Sequence, residues 1–191
     1  KADGEVTHLL EAPPQEQSLT LVTGRLHVQG HGLLHAVTLN ITTDVLVVDD
    51  LGRIVGDFHN SPCPVGDGAN GNGASGGGYG GRGGQGEGQL ATGAAFGHLF
   101  EPSEPGCRGG TMTTSPHTGG RGGGLIFLTV LDQMKVDGEI SCNGEDGRNG
   151  GGGGSGGAIN VHTYLMQGYG KFQVIGGDGA TSPYAGGAGS G

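Results

Sequence analysis

The run from Gly150 to Gly154 is five consecutive glycines, and it lies between two stretches that read as β-strands. Glycine accounts for 48 of the 191 residues, about a quarter, against about 7% in an ordinary chain. Glycine loses more backbone freedom on folding than any other residue. Hydrophobic residues make up only 32% of the chain and Trp is absent. Stacked layers of Leu, Ile and Phe therefore cannot organise all of it. A run of this composition would ordinarily be a flexible linker. Here the runs recur at a fixed spacing beside strand patterns, which points to ordered elements.

Gly123-Gly124-Leu-Ile-Phe-Leu is followed by Asp137-Gly-Glu-Ile and Asn143-Gly-Glu-Asp-Gly147. Gly156-Gly157-Ala-Ile-Asn-Val is followed by Gly170-Lys-Phe-Gln-Val and Gly176-Gly-Asp-Gly179. The copies lie 32–33 residues apart. A weaker first copy is Val48-Asp-Asp-Leu-Gly-Arg-Ile-Val-Gly56. Periods of this size belong to solenoids and stacked arrays, in which each unit adds one or two strands to a continuous core.

Strand patterns fill residues 18–58. Val37, Leu39 and Ile41 alternate with Thr38, Asn40 and Thr42, the period of a half-buried strand. Val45 to Val48 reads as a strand buried on both faces. Residues 62–123 are a long glycine-rich insert. Strands resume at Leu125–Val130, Lys135–Ile140, Ala158–Leu165 and Lys171–Ile175. Residues 1–17 carry Pro13-Pro14, which excludes helix locally, and read as an extended N-terminal arm. Residues 18–191 then read as a single domain. The chain begins at Lys1 and stops inside a glycine run at Gly191, so it reads as a mature or trimmed piece of a longer protein.

The expected fold is all-β with essentially no helix. Short strands, solenoid- or sandwich-like, alternate with glycine-rich segments of the polyproline or polyglycine II type. Without Cβ atoms, threefold extended helices can pack with their backbones nearly touching and pair their amides between helices. Tyr79, Arg82 and Gln85, three apart, would line one outward edge of such a helix. Irregular loops stacked beside a β-solenoid are the other reading.

The formal charge is −9 and the nine Lys and Arg are scattered, which excludes a nucleic-acid binder. No apolar stretch approaches the roughly 20 residues of a helical span, so membrane insertion is not expected. Cys63 and Cys107 flank the insert in similar Pro-containing contexts and are expected to form a disulfide. Cys142 is left over, either buried as a small hydrophobe or paired between chains. Asn40-Ile-Thr42 is a glycosylation sequon on the face of its strand away from Leu39 and Ile41; Asn60-Ser-Pro is not one.

His27, His31 and His35 recur every fourth residue, but nearby glycines and β-branched residues oppose the helix that would make them a metal face. Asp49, Asp50, Asp57, Asp67, Glu145, Asp146 and Asp178 sit beside turn glycines. They read as turn formers more than as calcium ligands. Asp49 and Asp137 could serve as paired carboxylates on a β-helix face, but no sequence motif of a hydrolase accompanies them. No catalytic, cofactor or metal residues are therefore assigned.

The segments 119–128, 136–144 and 150–159, together with Gly76-Gly-Gly-Tyr-Gly-Gly81, resemble the glycine-rich repeats of very large extracellular proteins on bacterial, protist and invertebrate surfaces. The resemblance covers about residues 35–191. It implies an adhesive, matrix or filament role without catalytic residues. The expected function is an extracellular, self-assembling structural subunit of a fibril, filament or surface matrix. Its partners would be copies of itself, the N-terminal arm adding to a neighbouring subunit. A module binding glycans or ice is the alternative, although Thr111, Thr113 and Thr114 make only a short cluster where an ice face needs a regular ladder.

Overall fold

The computed structural model describes residues 3–6, 9–11, 18–58, 63, 65–115 and 118–191. Among them the only regular secondary structure is β-strand, in two parallel five-stranded sheets. Strands β1 (Asp3–Val6), β3 (Ser18–Val28), β5 (Thr38–Val48), β7 (Leu125–Val136) and β9 (Ala158–Gln167) form the first sheet in that order. Strands β2 (Leu9–Glu11), β4 (Leu33–His35), β6 (Arg53–Val55), β8 (Glu139–Ser141) and β10 (Lys171–Gln173) form the second, also in chain order. Each odd strand and the even strand after it thus make one tier, and each tier lies against the one before. Within the stretch expected to be an extended N-terminal arm that adds to a neighbouring subunit, 3–6 and 9–11 extend the two sheets of their own chain. The Pro13-Pro14 stretch lies outside the described residues.

The residues divide into two compact units. One comprises Lys1–Gly56, Ile126–Ser141 and Ile159–Gln173. The other comprises Asp57–Leu125, Cys142–Ala158 and Val174–Gly191.

In the strand unit, like residues stack. Leu10, Leu34, Ile54, Ile140 and Phe172 occupy one register position of the second sheet. Leu34, Ile54 and Ile140 have no solvent exposure, and burying each such side chain contributes about 1.5–3 kcal/mol. In β5 the buried residues are Leu39, Ile41 and Thr43, then Leu46 and Val48. The parity switches after Thr43, where the β3–β5 register skips Gly24 and Asp44. The buried Thr43 hydroxyl reaches the Val45 carbonyl at 3.0 Å and the Gly24 carbonyl at 3.3 Å. Thr23 and Thr163 donate likewise two residues ahead, to Arg25 and Leu165. A hydroxyl in this position satisfies a carbonyl at the bend of the long strand.

In the glycine-rich unit, the segment 152–157 donates every amide, and its targets change with period three. Gly152 and Ser155 donate to Gly110 and Cys107. Gly153 and Gly156 donate to Gly187 and Ser190. Gly154 and Gly157 donate to Glu145 and Cys142. Carbonyls of residues 151–155 accept from three further segments: Gly152 and Ser155 from Gly120 and Gly123, Gly154 and Gly151 from Gly177 and Ala180, and Gly153 from Gly77. One segment therefore bonds to six neighbours, and these bonds satisfy buried polar backbone that no strand ladder covers. A Cβ on Gly153 would fall within 3.0 Å of the Gly177 and Asp178 backbone. The single side chain inside this run, Ser155, is fully buried; its hydroxyl accepts from the Cys107 amide at 2.8 Å.

Arg82 and Gln85 are exposed while Gly83 and Gly86 are buried. Tyr79 departs from the expected outward edge. It is buried, with its ring edge-on to Phe96 at 5.1 Å between centroids. Burial pushes its hydroxyl up to about 12. Its ring is the largest apolar surface in that segment, and contact with Phe96 outweighs the periodicity.

Candidate functional site

The strand unit ends in an open tier. β9 and β10 are the last strands of their sheets, and among the described residues nothing pairs with their outer edges. The side chains follow the backbone. The column that is fully buried at Leu34, Ile54 and Ile140 ends at Phe172, which is 39% exposed. Tyr164, Leu165 and Met166 of β9 are exposed as well. Beside that column runs an ionic one in which Glu139 lies 3.7 Å from Arg53 and 3.4 Å from Lys171. Lys171 is its last member. Unpaired parallel edges of this kind are templates for a further strand.

The corners that join the long and short strands of the last three tiers form a second feature. The Tyr169 amide donates to Asp137 Oδ1 at 3.2 Å, and Asp137 Oδ2 pairs with Lys135 at 2.8 Å. The hydrogen bond from Lys135 holds the Asp137 carboxyl below its ordinary value, and the same bond raises the Lys135 ammonium. Gly168 has φ +111°, and a Cβ there would strike the Val136 carbonyl. The turn is thereby fixed, yet the Tyr169 ring is fully exposed.

Several of the other side chains marked by the sequence have structural partners. Asp57 Oδ1 accepts from the Asn143 amide at 2.6 Å, Asn143 Oδ1 from the Ile175 amide at 2.9 Å, and Asp146 Oδ1 from the Asp178 amide at 2.8 Å. These side chains link one repeat to the next. Asp49 lies 3.0 Å from His27, so the paired-carboxylate reading with Asp137 has each carboxylate engaged elsewhere. Glu145 binds Arg121 at 2.8 Å and Arg148 at 2.9 Å. Arg121 also lies over the Phe58 ring at 5.0 Å. Burial pushes the Glu145 carboxyl up, but the Arg121 bond and charge, with Arg148, hold it below its ordinary value.

Cys63 and Cys107 form a disulfide with their Cα atoms 5.5 Å apart, and Cys142 is buried and takes no part in that bond. Cys63, Cys107 and Asp67 are the one group of three ligand-type side chains close enough to share an ion among the described residues, and there the two sulfurs are joined. His27, His31 and His35 fall in β3, a turn and β4 and form no such group. Asn40 is exposed in β5 between the buried Leu39 and Ile41. The corner of Lys135, Asp137 and Tyr169 was not singled out from the sequence. The 32-residue spacing of Asp137 and Tyr169, equal to that of Asn143 and Ile175, was the signal for it.

No protein-family model, curated protein or solved structure matches the chain.

Proposed function

We propose that this chain is an extracellular structural subunit that self-assembles into a fibril, filament or surface matrix, with no catalytic role. In this reading the tiers are a short β-solenoid and the glycine segments are polyglycine II-type helices packed backbone to backbone. The open β9/β10 tier receives the β1/β2 tier of another copy. Parallel stacking places Leu10 of the incoming chain above Phe172 and Leu9 above Lys171, continuing the registers within the chain. The two contact surfaces differ, so the interface is heterologous and extends without closing. The observation that carries the reading is the end of the buried column at the partly exposed Phe172. The disulfide and the exposed sequon at Asn40 favour an oxidising, secreted setting. Assembly supplies the partner that edge strands otherwise lack.

Electron microscopy and sedimentation of the intact chain test this. Concentration-dependent polymers are expected. Phe172→Lys should abolish them, while Leu99→Lys, at an exposed site of the other unit, should not. A monomer at all concentrations, or polymers indifferent to Phe172→Lys, would overturn the reading.

A further inference from the structure

The geometry points to a saccharide-binding groove along the corners of the last three tiers, suited to a linear, uncharged polysaccharide. Two adjoining hollows, of about 730 and 330 Å³, share Asp50, Asp137 and Tyr169. They form one continuous surface that crosses the β5/β6, β7/β8 and β9/β10 corners. Both are shallow and open to solvent, a shape that admits an extended chain and does not enclose a small molecule.

Three properties of the lining select the ligand. The first is the bare Tyr169 ring. Its backbone is fixed by the Asp137 hydrogen bond and by the two flanking glycines, whose positions leave no room for a Cβ. An aromatic face held without a packing partner offers an apolar platform at low entropic cost, and the C–H face of a sugar ring fits it. The second is the set of planar polar groups around that ring. Asp50, Asp137 and Gln167 line the same hollow. The Asp50 carboxylate can accept from hydroxyls, Asp137 spends its oxygens on Lys135 and the Tyr169 amide and so fixes the ring's turn, and a carboxamide both donates and accepts. Gln167 Oε1 already accepts from Gln133 at 2.8 Å, which orients its amino group as a free donor. The third is charge. The acidic lining residues are Asp50, Asp137 and Glu139 and the basic ones are Arg53, Lys135 and Lys171, three of each. They interleave along the groove, so it has no net field to select a polyanion or a polycation.

The groove runs with the stack. Tiers follow one another at about 4.8 Å, so the same kind of corner recurs along one line. A ligand with repeated units engages several corners at once, and a longer stack lengthens the site. A single sugar meets too few groups, and a chain gains by multivalency.

The test uses the intact protein and four neutral hexasaccharides, of β-1,4-linked glucose, mannose, xylose and N-acetylglucosamine, with heparin and oligogalacturonate as charged probes. Binding is followed by calorimetry and by amide chemical shifts. At least one neutral hexasaccharide should bind with shifts confined to the three corners, and its affinity should be unchanged between low and high salt. Tyr169→Ala should weaken it about tenfold or more, Asp50→Asn should weaken it less, and Tyr164→Ala, an exposed tyrosine outside the groove, should leave it unchanged. No binding of any neutral probe at millimolar concentration would overturn the proposal. So would binding that is indifferent to Tyr169→Ala, or binding of the charged probes alone with strong salt dependence.

Discussion

The amide of Gly77 donates to the carbonyl of Gly153 at 2.9 Å. Two residues far apart in sequence meet here with no side chain between them. Gly153 donates onward to Gly187 and faces the Gly177 backbone, so an added methyl at this position would displace main chain. Overpacking of a well-packed interior ordinarily costs about 1–3 kcal/mol, and a clash with backbone on this scale should fall at or above the top of that range. Gly153→Ala should therefore lower the denaturation midpoint markedly. Gly80→Ala, where nothing lies within 4 Å of the added carbon, should stay within about 0.5 kcal/mol of the parent. Equal effects of the two substitutions would mean that close packing is not what the glycines provide.

Glu145 gives the glycine-rich unit an acid-sensitive point. Its folded carboxyl is held below the ordinary 4.5, so the unfolded chain binds the proton more readily. The stabilisation is complete above about pH 4.5 and is lost as pH falls through the lower folded value. Glu145→Gln should cost about 1–2 kcal/mol at neutral pH, from charge-assisted bonds to Arg121 and Arg148. It should also flatten the acid limb of a stability profile measured by denaturant titration. An unchanged acid limb in the variant would assign the acid sensitivity to other groups.

The Cys63–Cys107 bond closes a loop with a sequence separation of 44. In the chain-entropy account such a closure contributes about 4 kcal/mol. Cys63→Ser should lower stability by an amount of that order, measured by urea unfolding. Reduction of the parent with a mild thiol should reproduce the loss.

Asn40 stands on the exposed side of β5. Expression through a eukaryotic secretory pathway should yield a glycoform whose excess mass disappears on treatment with an N-glycosidase. Asn40→Gln should abolish the shift without changing the fold.

Much of the strand unit was legible because alternation and β-branched residues mark half-buried strands. Leu39 and Ile41 turned inward and Asn40 outward as their period required. The parity switch after Thr43 was not legible, because it depends on the skipped pair Gly24 and Asp44 across two strands. Strands β1 and β2 were missed for a similar reason: four and three residues are too short to show a period. A threefold period alone sets Tyr79 on an outward edge; its contact with Phe96, 17 residues on and invisible in the period, turns it inward. The glycine segments announced their spacing in the sequence, but not their neighbours. Which carbonyl receives the Gly153 amide is decided by chain topology, which composition does not carry. The corner groove was hidden because Asp50, Lys135, Asp137 and Tyr169 approach one another only through stacking.

The most direct measurement of the assembly account is cross-linking between isotopically light and heavy copies. A lysine is placed in the first tier by Glu11→Lys. The register of the second sheet, continued across copies, sets position 11 above Gln173 of the neighbour, two residues from Lys171. Within one copy β2 and β10 are four strand spacings apart, about 19 Å. Head-to-tail stacking predicts mixed light–heavy links from position 11 of one copy to Lys171 of another, lost when Phe172→Lys is added. Polymers that yield no such mixed link would contradict stacking through the open β9/β10 tier.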